Sequence, residues 1–145
     1  MAEKNNPKNK KDIIIAASGY FDPIHAGHIE YLTLSKKLGD KLIVILNNDK
    51  QAILYKGFIF MPLKERVKIL KSLKCVDEIF VSIDKDESVC KSLNVIRPDI
   101  FTNGGNQFNS KVPEAKACKK LGIKMIDGLG EKIQSSSELA KRFIG

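Results

Sequence analysis

No apolar run in this sequence approaches the roughly 18–20 residues that cross a bilayer, so a membrane-spanning helix within it is excluded. A signal-peptide pattern is also missing. The early polar lysines are followed only by the short apolar stretch Ile13–Ala17, and a cytoplasmic location is expected. Cysteine is scarce: Cys75, Cys90 and Cys118 are odd in number and widely spaced. That argues against a disulfide framework and a zinc cluster, and suits a reducing compartment. Histidine is scarcer still, with only His25 and His28. There is no dense Arg/Lys stripe interleaved with aromatics, as a nucleic-acid surface would show. Internal repeats and interdomain linkers are absent too.

What remains is enough for one ordinary domain: 145 residues, 43% apolar and 29% charged. The net charge of +8 is unevenly distributed. Lys4, Lys8, Lys10 and Lys11 against Glu3 put +3 of it in residues 1–11, which read as a disordered basic tail ahead of a domain over 12–145. The rest is interleaved with acids along Lys-rich helices. Such mild basicity suits a phosphate-rich small substrate.

After the tail, short apolar runs alternate with longer amphipathic ones. Strands are expected over Asp12–Ser18, Lys41–Asn47, Glu78–Ser82, Asp99–Thr102 and Gly122–Ile126. Helices are expected over Gly27–Leu38, from Pro62 to Leu73, over Glu87–Ile96 and Pro113–Leu121, and at the end over Ser136–Ile144. Runs such as IIIAA and LIVIL do not alternate, as in strands covered on both faces. The fold class is therefore α/β: a Rossmann-like, doubly wound parallel sheet of about five strands. In such sheets ligands bind beyond the carboxyl ends of the strands, near the reversal of strand order. Four junctions qualify: Gly19–His28, Asn47–Gly57, Asn103–Gln107 and Ile133–Ser137.

The first junction holds both histidines, three residues apart in the turn that opens a helix, so they face one side. A helix N-terminus offers free N–H groups and a positive dipole end to phosphate. Gly27 between them permits close backbone approach. Two imidazoles with reference pKa about 6.5 can serve as donors or acids to oxygens that gain charge in phosphoryl or nucleotidyl transfer. A zinc pair lacks further ligands nearby.

With Gly19-Tyr-Phe-Asp22 ahead of His25-Ala-Gly-His28, the chain resembles the cytidylyltransferase-like nucleotidyltransferase superfamily. It is similar to glycerol-3-phosphate and ethanolamine-phosphate cytidylyltransferases, the heptose-1-phosphate adenylyltransferase domain and archaeal FAD synthetases. The resemblance runs from about Ile13 to Phe143 and includes Leu38–Val44, Lys56-Gly57, Glu65-Arg66 and Val76–Ile79. It implies that His25 and His28 stabilise the transition state and that the Tyr20-Phe21 backbone approaches the α-phosphate. Relatives of the glycerol-phosphate type carry a small hydroxyl residue where this chain has Tyr20.

The resemblance further implies Lys56 as a third catalytic residue and Arg66 as a phosphate ligand. It places Gly104-Gly105-Asn106 at the base or ribose, with Asn106 where heptose-type relatives have Asp, and Ser135, Ser136 and Ser137 at the outer phosphates. Gly19, Tyr20, Phe21 and Gly27 complete the expected nucleotide site. Asp22 is left between two roles, assisting through the metal or fixing its loop. The implied reaction is in-line attack of a substrate phosphate on the nucleotide α-phosphorus, releasing pyrophosphate. Mg²⁺ enters with the nucleotide, held mainly by phosphates and water. The expected partners are CTP, slightly ahead of ATP, and a sugar, polyol or alcohol phosphate, with no nucleic acid and no membrane; the expected assembly is a homodimer. Two other readings are a non-catalytic nucleotide-binding module of the same fold and a fragment of a class I aminoacyl-tRNA synthetase. The second needs a tRNA-binding extension and another signature loop, for which 145 residues leave no room.

Overall fold

The structure, a computed structural model, describes residues 11–104 and 112–129. The expected tail up to residue 10, Gly105, Asn106, Ser135–Ser137 and the expected terminal helix lie outside the described residues.

Five strands, β1 (Ile14–Gly19), β2 (Lys41–Leu46), β3 (Glu78–Val81), β4 (Ile100–Gly104) and β5 (Lys124–Leu129), form one sheet. Their order is β3-β2-β1-β4-β5, and every pairing is parallel. The chain winds outward from β1 to β3, then crosses back to β4, so strand order reverses between β1 and β4. Ala17 lies opposite Val44 on one side and Thr102 on the other.

Both faces are covered, as the unbroken apolar runs require. Ile15 and Ala17 of β1 pack with Leu42, Val44 and Leu46 against Tyr31 and Leu32 of α1 (Ala26–Lys36) and Leu70 of α3 (Leu63–Lys71). Ala16, Ile45 and Phe101 point the other way. They meet Val89 and Leu93 at α4 (Cys90–Ile96), and Cys118 and Ile123 at α5 (Val112–Leu121). Each fully buried Leu or Ile contributes roughly 1.5–3 kcal/mol. Polar bonds add direction: Tyr31 Oη donates to Thr102 O at 2.7 Å, locking α1 to β4.

Several boundaries differ from the sequence reading by a few residues, and one element was not expected. Helix α4 begins at Cys90 rather than Glu87, because Asp86 folds back on Ser88 and Asp84 accepts from the N–H groups of Lys91 and Ser92. Strand β5 starts at Lys124, because Gly122 adopts φ 75° to end α5. An unexpected helix, α2 (Asp49–Lys56), fills the second junction. Asn48 and Gln51 cap it reciprocally at 2.8 and 3.0 Å, and Gly57, at φ 84°, closes it in the left-handed conformation.

Candidate active site

The turn after β1 sits at the reversal of strand order, and its conformation is held by its own residues and by others from α2 to α3. A Cβ on Gly19 would lie 2.9 Å from the Phe21 ring, so only glycine lets that ring fold back. Phe21, at φ 51°, is buried and meets His28 edge-on, with centroids 4.9 Å apart.

Both histidines cap α1. His25 is the N-cap, and its Nδ1 accepts from Gly27 N at 3.1 Å. His28 Nδ1 accepts from His25 N at 3.1 Å. The two rings stack with centroids 3.9 Å apart. A neutral imidazole that accepts at Nδ1 carries its proton at Nε2, so this assigned bonding leaves each ring an N–H donor on the side away from the turn. Burial lowers the His25 pKa; burial and then His25 lower that of His28 to about 4. The sequence reading allowed donor or acid. In the free protein the two are neutral donors.

Asp22 belongs to the scaffold of this turn. Its Oδ2 accepts from Phe60 N at 2.9 Å, and its Oδ1 accepts from Met61 N. Lys56 Nζ, at the end of α2, lies 2.9 Å from Asp22 Oδ2 and donates to Asp22 O at 2.6 Å. Burial raises the Asp22 carboxyl, but the bonds from Lys56, Phe60 and Met61 outweigh it and hold it below its ordinary value. Of the two roles left open for Asp22, the geometry is that of a loop-fixing residue. Lys56 keeps a third N–H for another acceptor.

Arg66 was expected at the phosphates; in the structure its side chain is 1% exposed and bonded to protein groups. Its Nη1 donates to Tyr20 O and Asn47 O, both at 2.8 Å, and its Nε to Met61 O at 2.9 Å. Nη2 pairs with Asp49 Oδ1 at 2.6 Å. The guanidinium is thus committed to bracing the ends of β1 and β2 against α2 and the segment before α3.

Three buried polar atoms stand at the first and third of the four junctions. Ser18 Oγ, the Tyr20 hydroxyl and Asn103 Oδ1 are buried without hydrogen-bond partners among the described residues. They lie at the ends of β1 and β4, the strands flanking the reversal. Asp127 takes the Asn103 amide at 2.7 Å, turning its oxygen the other way. Tyr20 also stacks on Tyr55, with centroids 4.9 Å apart and planes 17° from parallel. Gly104 ends β4. Among the described residues, no group of three or more His, Cys, Asp or Glu side chains is placed to hold a metal, and no helix is long and apolar enough to cross a membrane.

Imidazoles at a helix N-terminus, set where a parallel sheet reverses its order, mark a place in this α/β domain suited to a phosphate-bearing ligand. Comparison with known proteins names the family: the cytidylyltransferase-like model matches residues 16–142, and the chain belongs to that family. FAD synthase from Picrophilus torridus is 37% identical over 134 residues, covering 90% of this chain and 95% of that protein. Bifunctional protein HldE from Streptomyces coelicolor is 38% identical over 111 residues, 75% of this chain but only 24% of that protein. Among solved structures, the lipopolysaccharide core biosynthesis protein from Thermoplasma volcanium superposes with a TM-score of 0.71 at 29% identity, covering 84% of this chain and all of that one.

Proposed function

We propose that this nucleotidyltransferase moves AMP from ATP to the phosphate of FMN, yielding FAD and pyrophosphate. The carrying observation is the pair of outward Nε2–H donors made by two imidazoles whose Nδ1 atoms face the backbone. An FMN phosphate oxygen attacks the α-phosphorus of ATP, the bond from that phosphorus to the bridging β-phosphate oxygen breaks, and pyrophosphate leaves. The attacking phosphate is already ionised, so the protein supplies position and charge stabilisation, not a nucleophile. His25 and His28 donate to the α-phosphate oxygens as charge grows there. Lys56 turns its third N–H to the phosphates. Arg66 acts by holding the Tyr20 carbonyl, and so the turn. Mg²⁺ arrives on the triphosphate as part of the substrate. Gly104, Gly105 and Asn106 at the base and ribose, and Ser135–Ser137 at the outer phosphates, are assigned by resemblance to the family.

One consideration favours ATP over the CTP preferred from the sequence, and a second favours FMN over a sugar phosphate. FAD is FMN joined to AMP, and the FAD synthase relative aligns along nearly the whole of both chains. The HldE match is confined to a quarter of that protein. FMN also falls within the expected acceptor class, an alcohol phosphate.

The test is pyrophosphate release with Mg²⁺, ATP or CTP, and FMN, a sugar 1-phosphate or glycerol 3-phosphate, with FAD read by chromatography. FAD from ATP and FMN alone is the expected result. Release only with a sugar phosphate transfers the reading to that acceptor. CTP-dependent release overturns the adenylyl assignment. No release from folded protein, with nucleotide still bound, leaves a non-catalytic module.

A further inference from the structure

We infer that Tyr55, Phe58 and Phe60 form the surface that receives the planar ring of the acceptor. This rests on the flavin reading above and names the residues that would carry it.

Half of the ten exposed large hydrophobic side chains among the described residues fall in the eight-residue stretch 53–60. Tyr55 is 60% exposed, Phe58 56% and Phe60 64%. Helix α2 turns only Gln51 and Ala52 inward, so its large apolar residues, Ile53, Leu54 and Tyr55, are not serving the core. A concentrated apolar patch of this kind marks a binding surface.

The patch borders the catalytic turn directly. Lys56, next to Tyr55, is bonded to Asp22, and Asp22 also holds the N–H of Phe60. Phe58 places its ring 5.1 Å from Lys56 Nζ. Tyr55 is backed by Tyr20, which immediately precedes Phe21. An acceptor with its phosphate at Lys56 would therefore meet aromatic side chains a short way off.

Charge selects among occupants. Apart from buried Arg66 and its partner Asp49, residues 49–71 carry five cationic side chains, Lys50, Lys56, Lys64, Lys68 and Lys71, against one acidic one, Glu65. A second copy laid on the same face would set like charges together, whereas an anionic phosphate joined to a flat apolar ring matches both properties of the surface. A bare sugar phosphate uses the cation and leaves the aromatics idle.

The experiment measures FAD formation and FMN fluorescence with wild-type protein, Tyr55→Ala, Tyr55→Phe and the double variant Phe58→Ser/Phe60→Ser. These exposed positions leave the fold intact, as circular dichroism will verify. Stacking is equally present before and during reaction. Tyr55→Ala should therefore raise KM for FMN about tenfold and leave kcat within about twofold. KM for ATP should stay constant, and Tyr55→Phe should restore most of the loss. FMN emission should be quenched on binding to wild type and less so with Tyr55→Ala. Unchanged KM for FMN in both Tyr55→Ala and the double variant, with FAD still formed, overturns the ring site and leaves the flavin reading standing. Release of pyrophosphate with a sugar phosphate but never with FMN overturns both. A dimer in sedimentation that Tyr55→Ala dissociates assigns the surface to a second copy and overturns the inference.

Discussion

His28 Nδ1 accepts the backbone N–H of His25 while His25 Nδ1 accepts that of Gly27, so each imidazole is half of a helix cap and half of a donor pair. The two duties separate by substitution. Asparagine is a favoured N-cap residue, and glutamine at the third helical position completes a capping box. His25→Asn and His28→Gln should therefore fold with midpoints close to wild type and lose about 10²–10³ in kcat. Thermal melts beside steady-state rates check this. Full activity in either variant removes the imidazoles from the reaction.

The depressed His28 pKa carries a pH signature. Unfolded, the ring titrates near 6.5; folded, near 4. Between those values the unfolded state binds more protons, so stability rises with pH. The contribution is complete above about 6.5 and is lost as pH falls toward 4. Lowering pH from 7.5 to 5.5 should cost roughly 1 kcal/mol in urea unfolding. His28→Gln should flatten that slope, and an unchanged slope would contradict it.

Arg66 is where the site should be most fragile. Arg66→Met strands the carbonyls of Tyr20, Asn47 and Met61 and unpairs Asp49, for an expected loss of about 3–5 kcal/mol. Arg66→Lys cannot reproduce the fork and should recover only part. A loss under about 1 kcal/mol for Arg66→Met, by chemical denaturation, would contradict the bracing role.

Gly19→Ala tests the turn from the other side. The added methyl would lie 2.9 Å from two Phe21 ring atoms, and that ring abuts His28. Expulsion of the ring should cost about 1–3 kcal/mol. It should also lower kcat with KM for ATP less affected, since the histidines shift. Wild-type melting and rates would show that the turn has slack.

The central strands were legible because burial on both faces leaves runs such as Ile13–Ala17 and Leu42–Leu46 purely apolar. Helix α2 was missed because its apolar residues, Ile53 and Leu54, face outward and give no core-facing period. The Asn48–Gln51 box and Gly57 were the signals available. The histidines were visible as a motif, but their tautomer depends on backbone N–H groups placed by the cap. Arg66 could be matched by position. Its surroundings could not, since they are carbonyls brought together from three separate stretches of chain.

The brace centred on Asp22 and Arg66 grips the segment leading to α3 through main-chain atoms: the N–H groups of Phe60 and Met61 and the carbonyl of Met61. Main-chain atoms are the same whatever side chain a codon specifies. Mutation can therefore rewrite the side chains at 53–55 and 58–60 while Lys56, Gly57 and the main-chain grip stay in place. A lineage built on this domain is free to exchange one acceptor for another without passing through an inactive ancestor.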